Sequence, residues 1–192
     1  MRHLHLGFVA LLACNGGDDD PVDSDTDTDT GPFGTTDCSD FPDASDCIEV
    51  DPADSETDLL EVVQLLVDGS VVVLGEGTFE LDNQVTIRGA DGVSVVGQGM
   101  GVTVLDFTEV ANQVNGVDVI ADDFHIEGLT VLDAPKDALR IEDSDDIVIR
   151  GVETTWVNKD DPDNGGYGIY APGAVDLGGN VAFNNALGDC VR

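Results

Sequence analysis

The sequence predicts an all-β fold, a parallel β-helix or solenoid, and three observations carry that expectation. β-Branched stretches broken by glycine recur through Val117 to Leu132, Leu139 to Trp156 and Ile169 to Phe183, at a period in the low twenties. Within them FHIEGLTVL, from Phe124, and IVIRGVETTW, from Ile147, place Gly128 and Gly151 23 residues apart, and VDLGGNVAF, from Val175, repeats the form after an insertion. A unit that short holds two or three strands and cannot bury its apolar face alone, so neighbouring units must stack on it. Aromatic residues make up only 5% of the 192 residues. The core must then be built from Val, Ile and Leu, which suits the aliphatic ladders of stacked parallel strands.

Residues 1–14 read as an export signal, with Arg2 in a minimal basic start and an apolar run from Leu4 to Leu12. That run is too short to span a bilayer as a helix, which takes about 20 residues. It ends in Leu11-Leu12-Ala13-Cys14, which resembles the lipobox of bacterial lipoproteins. The resemblance implies that Cys14 is lipidated and becomes the first mature residue. Stable attachment takes about two acyl signals, and a lipoprotein cysteine carries several chains. The expected location is the cell envelope, with the membrane reached through the anchor at Cys14, on the periplasmic face or the cell surface.

Residues 15–37 form an Asp/Thr-rich tether of low hydrophobicity and like charge, expected to be extended and disordered. Its alternating aspartates invite a calcium reading. Counting from Asp25, however, puts Thr30 and Thr36 where an EF-hand loop needs glycine and glutamate, so a solvated spacer is the better description. The net charge of −33 is unevenly placed: Asn15 to Asp58 holds 16 acidic residues and no Lys or Arg, and the rest keeps 24 acids against 6 bases. Phosphate backbones are repelled by such a chain, so no nucleic-acid partner is expected. A polyanionic substrate would need bridging cations, which makes calcium the one cofactor the composition suggests.

Residues 38–54 are a polar lead-in in which Cys38 and Cys47, in an exported chain, are expected to form a disulfide. Residues 55–192 make the β-helix domain. Ser55, with Asp58 three residues on, starts a predicted helix whose apolar positions Leu59, Val62, Val63, Leu66 and Val67 keep the spacing of one buried face, ended by Asp68-Gly69. Such a helix would cap the open first coil. Strand-length apolar runs follow from Val71 to Asp106, punctuated by seven glycines, then pairs of strands in GVDVI and FHIEGLTVL, ALRIE and IVIRGVETT, and GIY and VDLGGNVAF. Roughly four coils are expected after the cap, with residues 159–166 as an inserted loop. The sequence stops at Gly188-Asp189-Cys190-Val191-Arg192, where a strand begins. Either further C-terminal coils or another chain is expected at that open end.

GSVVVLGEGTFEL, VTIRGADGVSVVGQGMGVTVLDF, IRGVETTW and GGYGIY together resemble bacterial right-handed parallel β-helix repeat proteins of the pectate-lyase-like superfamily. The resemblance covers Leu59 to Arg192, and Gly97 to Phe107 with Tyr167-Gly168-Ile169-Tyr170 are its most specific parts. It implies a right-handed coil and kinship of fold with pectate lyases, polygalacturonases and alginate epimerases. Fold likeness alone assigns no activity.

A β-helix polysaccharide lyase needs carboxylates to hold calcium on the substrate's uronate and a Lys or Arg to abstract a proton. Lys159, Asp161 and Asp163 in the inserted loop are the catalytic candidates on that reading, and Asp160, Asp161 and Asp163 the metal candidates. Long loops on a solenoid flank are where sites gather. Asp143, Asp145 and Asp146 read as turn residues selected for backbone hydrogen bonding, and Asp122, Asp123 and His125 as surface decoration sooner than metal ligands. Trp156, Tyr167 and Tyr170 are the large amphipathic rings of the coils. They form a sugar-stacking platform if exposed together, or else pack under the insertion. The paired aspartates of polygalacturonases are not found. The expectation is a cell-envelope lipoprotein that contacts polysaccharide, with a calcium-assisted polysaccharide lyase or related glycan-active enzyme such as a glycoside hydrolase, or a non-catalytic scaffold or interaction module, as alternatives.

Overall fold

The computed structural model describes residues 35–54, 56–111, 113–156, 165–176 and 178–191. The leader with Cys14, most of the acidic tether, and Lys159, Asp160, Asp161 and Asp163 lie outside them. In chain order the described elements are β1 (Asp46–Val50), α1 (Glu56–Val62), β2 (Ser70–Leu74), β3 (Gly77–Glu80), β4 (Val85–Arg88), β5 (Ser94–Val96), β6 (Thr103–Asp106) and β7 (Val117–Ile120). Then come β8 (His125–Leu132), β9 (Leu139–Ile141), β10 (Val148–Thr155), β11 (Tyr167–Tyr170), β12 (Val175–Asp176), β13 (Val181–Phe183) and β14 (Gly188–Val191).

Every described pairing between strands is parallel, and the chain is a parallel β-solenoid. One sheet runs β4, β7, β9, β11, β14, one strand per turn, so there are about five turns rather than four. The difference lies in the last coil, because GDCV pairs with β11 at Gly188, Cys190 and Val191. The other sheet follows β1, β2, β5, β8, β10, β12, while β3, β6 and β13 are paired in a second row.

The long strands β8 and β10 explain how the two rows meet. Their first halves pair His125 to Glu127 with Val148 to Arg150, their second halves Leu129 to Leu132 with Val152 to Thr155, and the gap between falls at Gly128 and Gly151. Both glycines have positive φ, 68° and 56°, a left-handed conformation that costs a side-chain-bearing residue roughly 1–2 kcal/mol. The strand turns its corner there, which is the physical origin of the 23-residue glycine spacing.

Interior ladders fill the solenoid. Val85, Val117, Leu139, Ile169 and Cys190 stack in register, as do Val72, Val95, Ile126 and Ile149. Another is Phe79, Leu105, Val131, Thr154 and Ala182, and Ile87, Val119 and Ile141 stack likewise. The aliphatic core expected from composition is present, with Phe79, Phe107 and Phe124 buried inside it. Thr154 is the misfit: it is fully buried and its hydroxyl has no hydrogen-bond partner among the described residues. A buried hydroxyl left unpaired costs about 1–3 kcal/mol. Thr154→Val keeps the shape and removes that cost, so urea unfolding should show a gain of about 1 kcal/mol.

The lead-in supplies a strand that the sequence reading does not assign. β1 pairs along its whole length with β2, although only Ile48 and Val50 carry aliphatic side chains. Cys38 and Cys47 are joined by a disulfide, with Cα atoms 5.7 Å apart. Residues from Thr35 onward then cross the outer side of the first coils, where the Gln98 side chain accepts from Thr36 N (2.8 Å) and donates to Thr36 O (3.0 Å) and Leu74 O (2.9 Å). Val71 and Val73 alternate with Val72 and Leu74, yet all four are buried. Covering both faces makes β2 a continuous apolar run. The disulfide spans 9 residues, and loop-closure entropy gives a loss of about 2.5 kcal/mol on replacing both cysteines by alanine, readable as a lowered denaturant midpoint.

Helix α1 is shorter than predicted. After Val63 N to Leu59 O the hydrogen bonds tighten to Gln64 N to Glu61 O and Leu65 N to Val62 O, and Leu65 and Val67 are exposed. The chain has to turn there to enter β2, with Val67 N donating to Ser70 Oγ. Leu59 and Val63 join the core.

Candidate functional site

Strand alternation gives β4, β7, β9 and β11 an inner ladder and an outer row. In the outer row Thr86, Asp118, Arg140 and Tyr170 are register partners in turn, so one chemically distinct side chain per coil stands along the solenoid axis at the parallel-strand spacing of about 4.8 Å.

These side chains are tied together and to their neighbours. Arg88 donates to Asp118 Oδ2 at 2.5 Å and Asn115 Nδ2 to Asp118 Oδ1 at 2.7 Å. Gln84 reaches Thr86 Oγ1 at 2.9 Å and accepts from Asn115 N at 3.0 Å. Arg140 donates to both Asp137 and Glu142. Hydrogen bonding to Glu142 is the main cause that pushes the guanidinium pKa further up, with Asp137 adding to it against the opposing cost of burial, so it is charged at all working pH values. The guanidinium also lies over the Tyr170 ring, 4.5 Å from its centre, a cation–π contact. Tyr167 and Tyr170 are 5.7 Å apart and tilted by 41°, and the Tyr167 N–H donates to Asp137 Oδ1 at 2.8 Å. Beside the first coil of this strip is a groove of about 590 Å³ lined by Leu60, Val63, Gln64, Asn83, Arg88 and Val114 among others.

Of the expected carbohydrate-binding residues, the structure brings Tyr167 and Tyr170 together on this strip. Trp156 follows the end of β10 and has its ring against Gly165, whose would-be Cβ is 3.5 Å away. The catalytic and metal candidates of the inserted loop, Lys159, Asp160, Asp161 and Asp163, lie outside the described residues. Among the described residues no group of three or more His, Cys, Asp or Glu is placed to hold a metal ion.

Asp143, Asp145 and Asp146 serve the turn, as their residue type suggests: Asp143 and Asp146 have φ of 50° and 57°. The turn also belongs to a larger pattern that the sequence reading misses. Asp68 Oδ1 accepts from Asp91 N, Asp91 Oδ1 from Asp122 N, and Asp122 Oδ1 from Asp145 N, at 3.0, 3.0 and 2.8 Å. One aspartate per coil thus caps the backbone of the next, over steps of 23, 31 and 23 residues. The signal was the run of Asp-Gly and Asp-Asp pairs at these four turns. His125 engages Glu127, with Nε2 3.2 Å from Oε2 although poorly aligned for a hydrogen bond. That contact is the main cause holding the Glu127 carboxyl below its ordinary pKa of 4.5, with burial opposing and Arg150 helping. Stability from this carboxylate is therefore present above that value and is lost as acid drives pH through the lower folded pKa.

Comparison with protein-family models, curated proteins and solved structures finds no match. Among the described residues no helix is long and apolar enough to cross a membrane.

Proposed function

We propose that this protein is an exported β-helix lipoprotein, right-handed and of the pectate-lyase-like kind, whose outer strip contacts polysaccharide. A right hand is what parallel crossover connections adopt in about 98% of cases, and in this reading α1 caps the first coil. The row Thr86, Asp118, Arg140 and Tyr170, with Tyr167 beside it, carries the binding reading. Polysaccharides are recognised through hydroxyl groups and the apolar faces of their rings, and the row offers a carboxylate, a guanidinium, a hydroxyl and amphipathic rings at a regular repeat. The groove beside α1 extends that surface past the first coil.

Affinity electrophoresis through gels containing soluble polysaccharides tests the reading. The protein is expected to be slowed in at least one gel, and Tyr170→Ala, folded by circular dichroism, to lose about tenfold in affinity, the upper end of the roughly 0.5–1.5 kcal/mol of a stacked ring. A wild-type chain that migrates unchanged in every gel would contradict it. The anchor is tested separately: Cys14→Ser is expected to move the protein from the membrane fraction to the soluble one, and unchanged membrane association would remove Cys14 from the account.

A further inference from the structure

Resting on that reading, we infer that the glycan is a neutral, hydroxyl-rich chain and not a uronate or other polyanion. The argument is the charge state of the strip. Its two arginines, Arg88 and Arg140, are both paired, the first with Asp118 and the second with Asp137 and Glu142. Among the described residues, two guanidinium groups against three carboxylates leave these ion pairs one charge negative, and the chain carries −33.

An anionic sugar approaching the strip would have to displace a protein carboxylate from its arginine. The Asp137 partner is poorly placed to leave, since its side chain is only 5% exposed and also accepts from the Tyr167 N–H. Calcium bridging is one way round such repulsion, and among the described residues the strip offers no cluster of carboxylates for it: Asp137 and Glu142 are both directed at the same guanidinium.

A neutral sugar meets the opposite situation. Glu142 is bound on one oxygen by Arg140, and its side chain is 42% exposed, so its remaining lone pairs face solvent. A carboxylate is an acceptor only, and hydroxyl groups are the donors that match it, through bonds about twice as strong as neutral ones. Arg140 in turn fixes the Tyr170 ring from one side, which leaves a sugar face less ordering to impose. In this arrangement the guanidinium groups position acceptors and a ring. They do not recognise charge.

Binding of the intact chain to galactomannan, dextran and xyloglucan, and to polygalacturonate with and without calcium, separates the possibilities. Retention by a neutral polymer is expected, changed less than twofold by 0.5 M salt or by EDTA, together with none by polygalacturonate. Glu142→Gln should weaken neutral-polymer binding by about tenfold, the difference between a charged and a neutral acceptor, while Lys136→Ala, which removes an exposed lysine from the turn before β9, should leave it unchanged. Retention by polygalacturonate but by no neutral polymer, abolished by EDTA or by Lys136→Ala, overturns this inference and leaves the polysaccharide reading standing. Retention by none of the polymers overturns both.

Discussion

Gly97→Ala is expected to cost this protein 3 kcal/mol or more. A Cβ at position 97 would be 2.3 Å from the carbonyl oxygen of Gly128 and 3.0 Å from the Cβ atoms of Leu129 and Thr103. None of these neighbours can give way cheaply. Gly97 N donates to Glu127 O at 2.9 Å and Gly99 N to Gly128 O at 2.7 Å, while β8 is held between β5, β6 and β10. Relief would need the coils to separate at a corner where the backbones touch, and overpacking of rigid sites costs typically 1–3 kcal/mol before backbone hydrogen bonds are lost as well. Gly89→Ala is the matched control. Gly89 has φ of 76° with nothing within 4 Å of its would-be Cβ, so only the left-handed strain of roughly 1–2 kcal/mol applies. Urea unfolding of both variants checks the contrast, and equal losses would show that the corner is not closely packed.

Arg140→Ala carries the second large effect. The variant leaves Asp137, nearly buried, with one backbone N–H from Tyr167 as its remaining described partner and strips Glu142 of its guanidinium. Breaking a buried pair by removing one side costs about 3–5 kcal/mol, because a charge stays in the interior. Arg140 is a quarter exposed, so the lower end of that range, about 3 kcal/mol, is expected. Removing both charges should restore much of it: Arg140→Met with Asp137→Asn is predicted to lie about 1–2 kcal/mol above Arg140→Ala alone. If the double variant is no better than the sum of the single losses, the pair is not coupled and the strip is looser than described.

The parts of the fold that the sequence made legible are those set by local chemistry. Glycine at a left-handed corner is required wherever a strand must turn through it, so Gly128 and Gly151 announced the coil. Valine and isoleucine runs announced the ladders, and Asp-Asp turns announced Asp143 to Asp146. What the sequence hid depends on register between coils. The aspartate ladder steps by 23, 31 and 23 residues, because the coil from Asp91 to Asp122 is enlarged, and no fixed period aligns Asp118 with Arg140 or Thr86. The site suffered the same way. Tyr167 and Tyr170 stood out as rings, whereas Asp118, Arg140 and Glu142 resembled any charges of an acidic chain until the stacking placed them beside those rings. β1 escaped notice because DCIEV has too few aliphatic residues to read as a strand, and its pairing edge comes from β2, far along the chain.

Amide chemical-shift mapping during titration with a neutral oligosaccharide tests the central claim most directly. The account predicts saturable shifts confined to Thr86, Asp118, Arg140, Glu142, Tyr167, Tyr170 and their immediate neighbours. Shifts centred on the aspartate ladder from Asp68 to Asp145, or no saturable shift with any glycan, would contradict it.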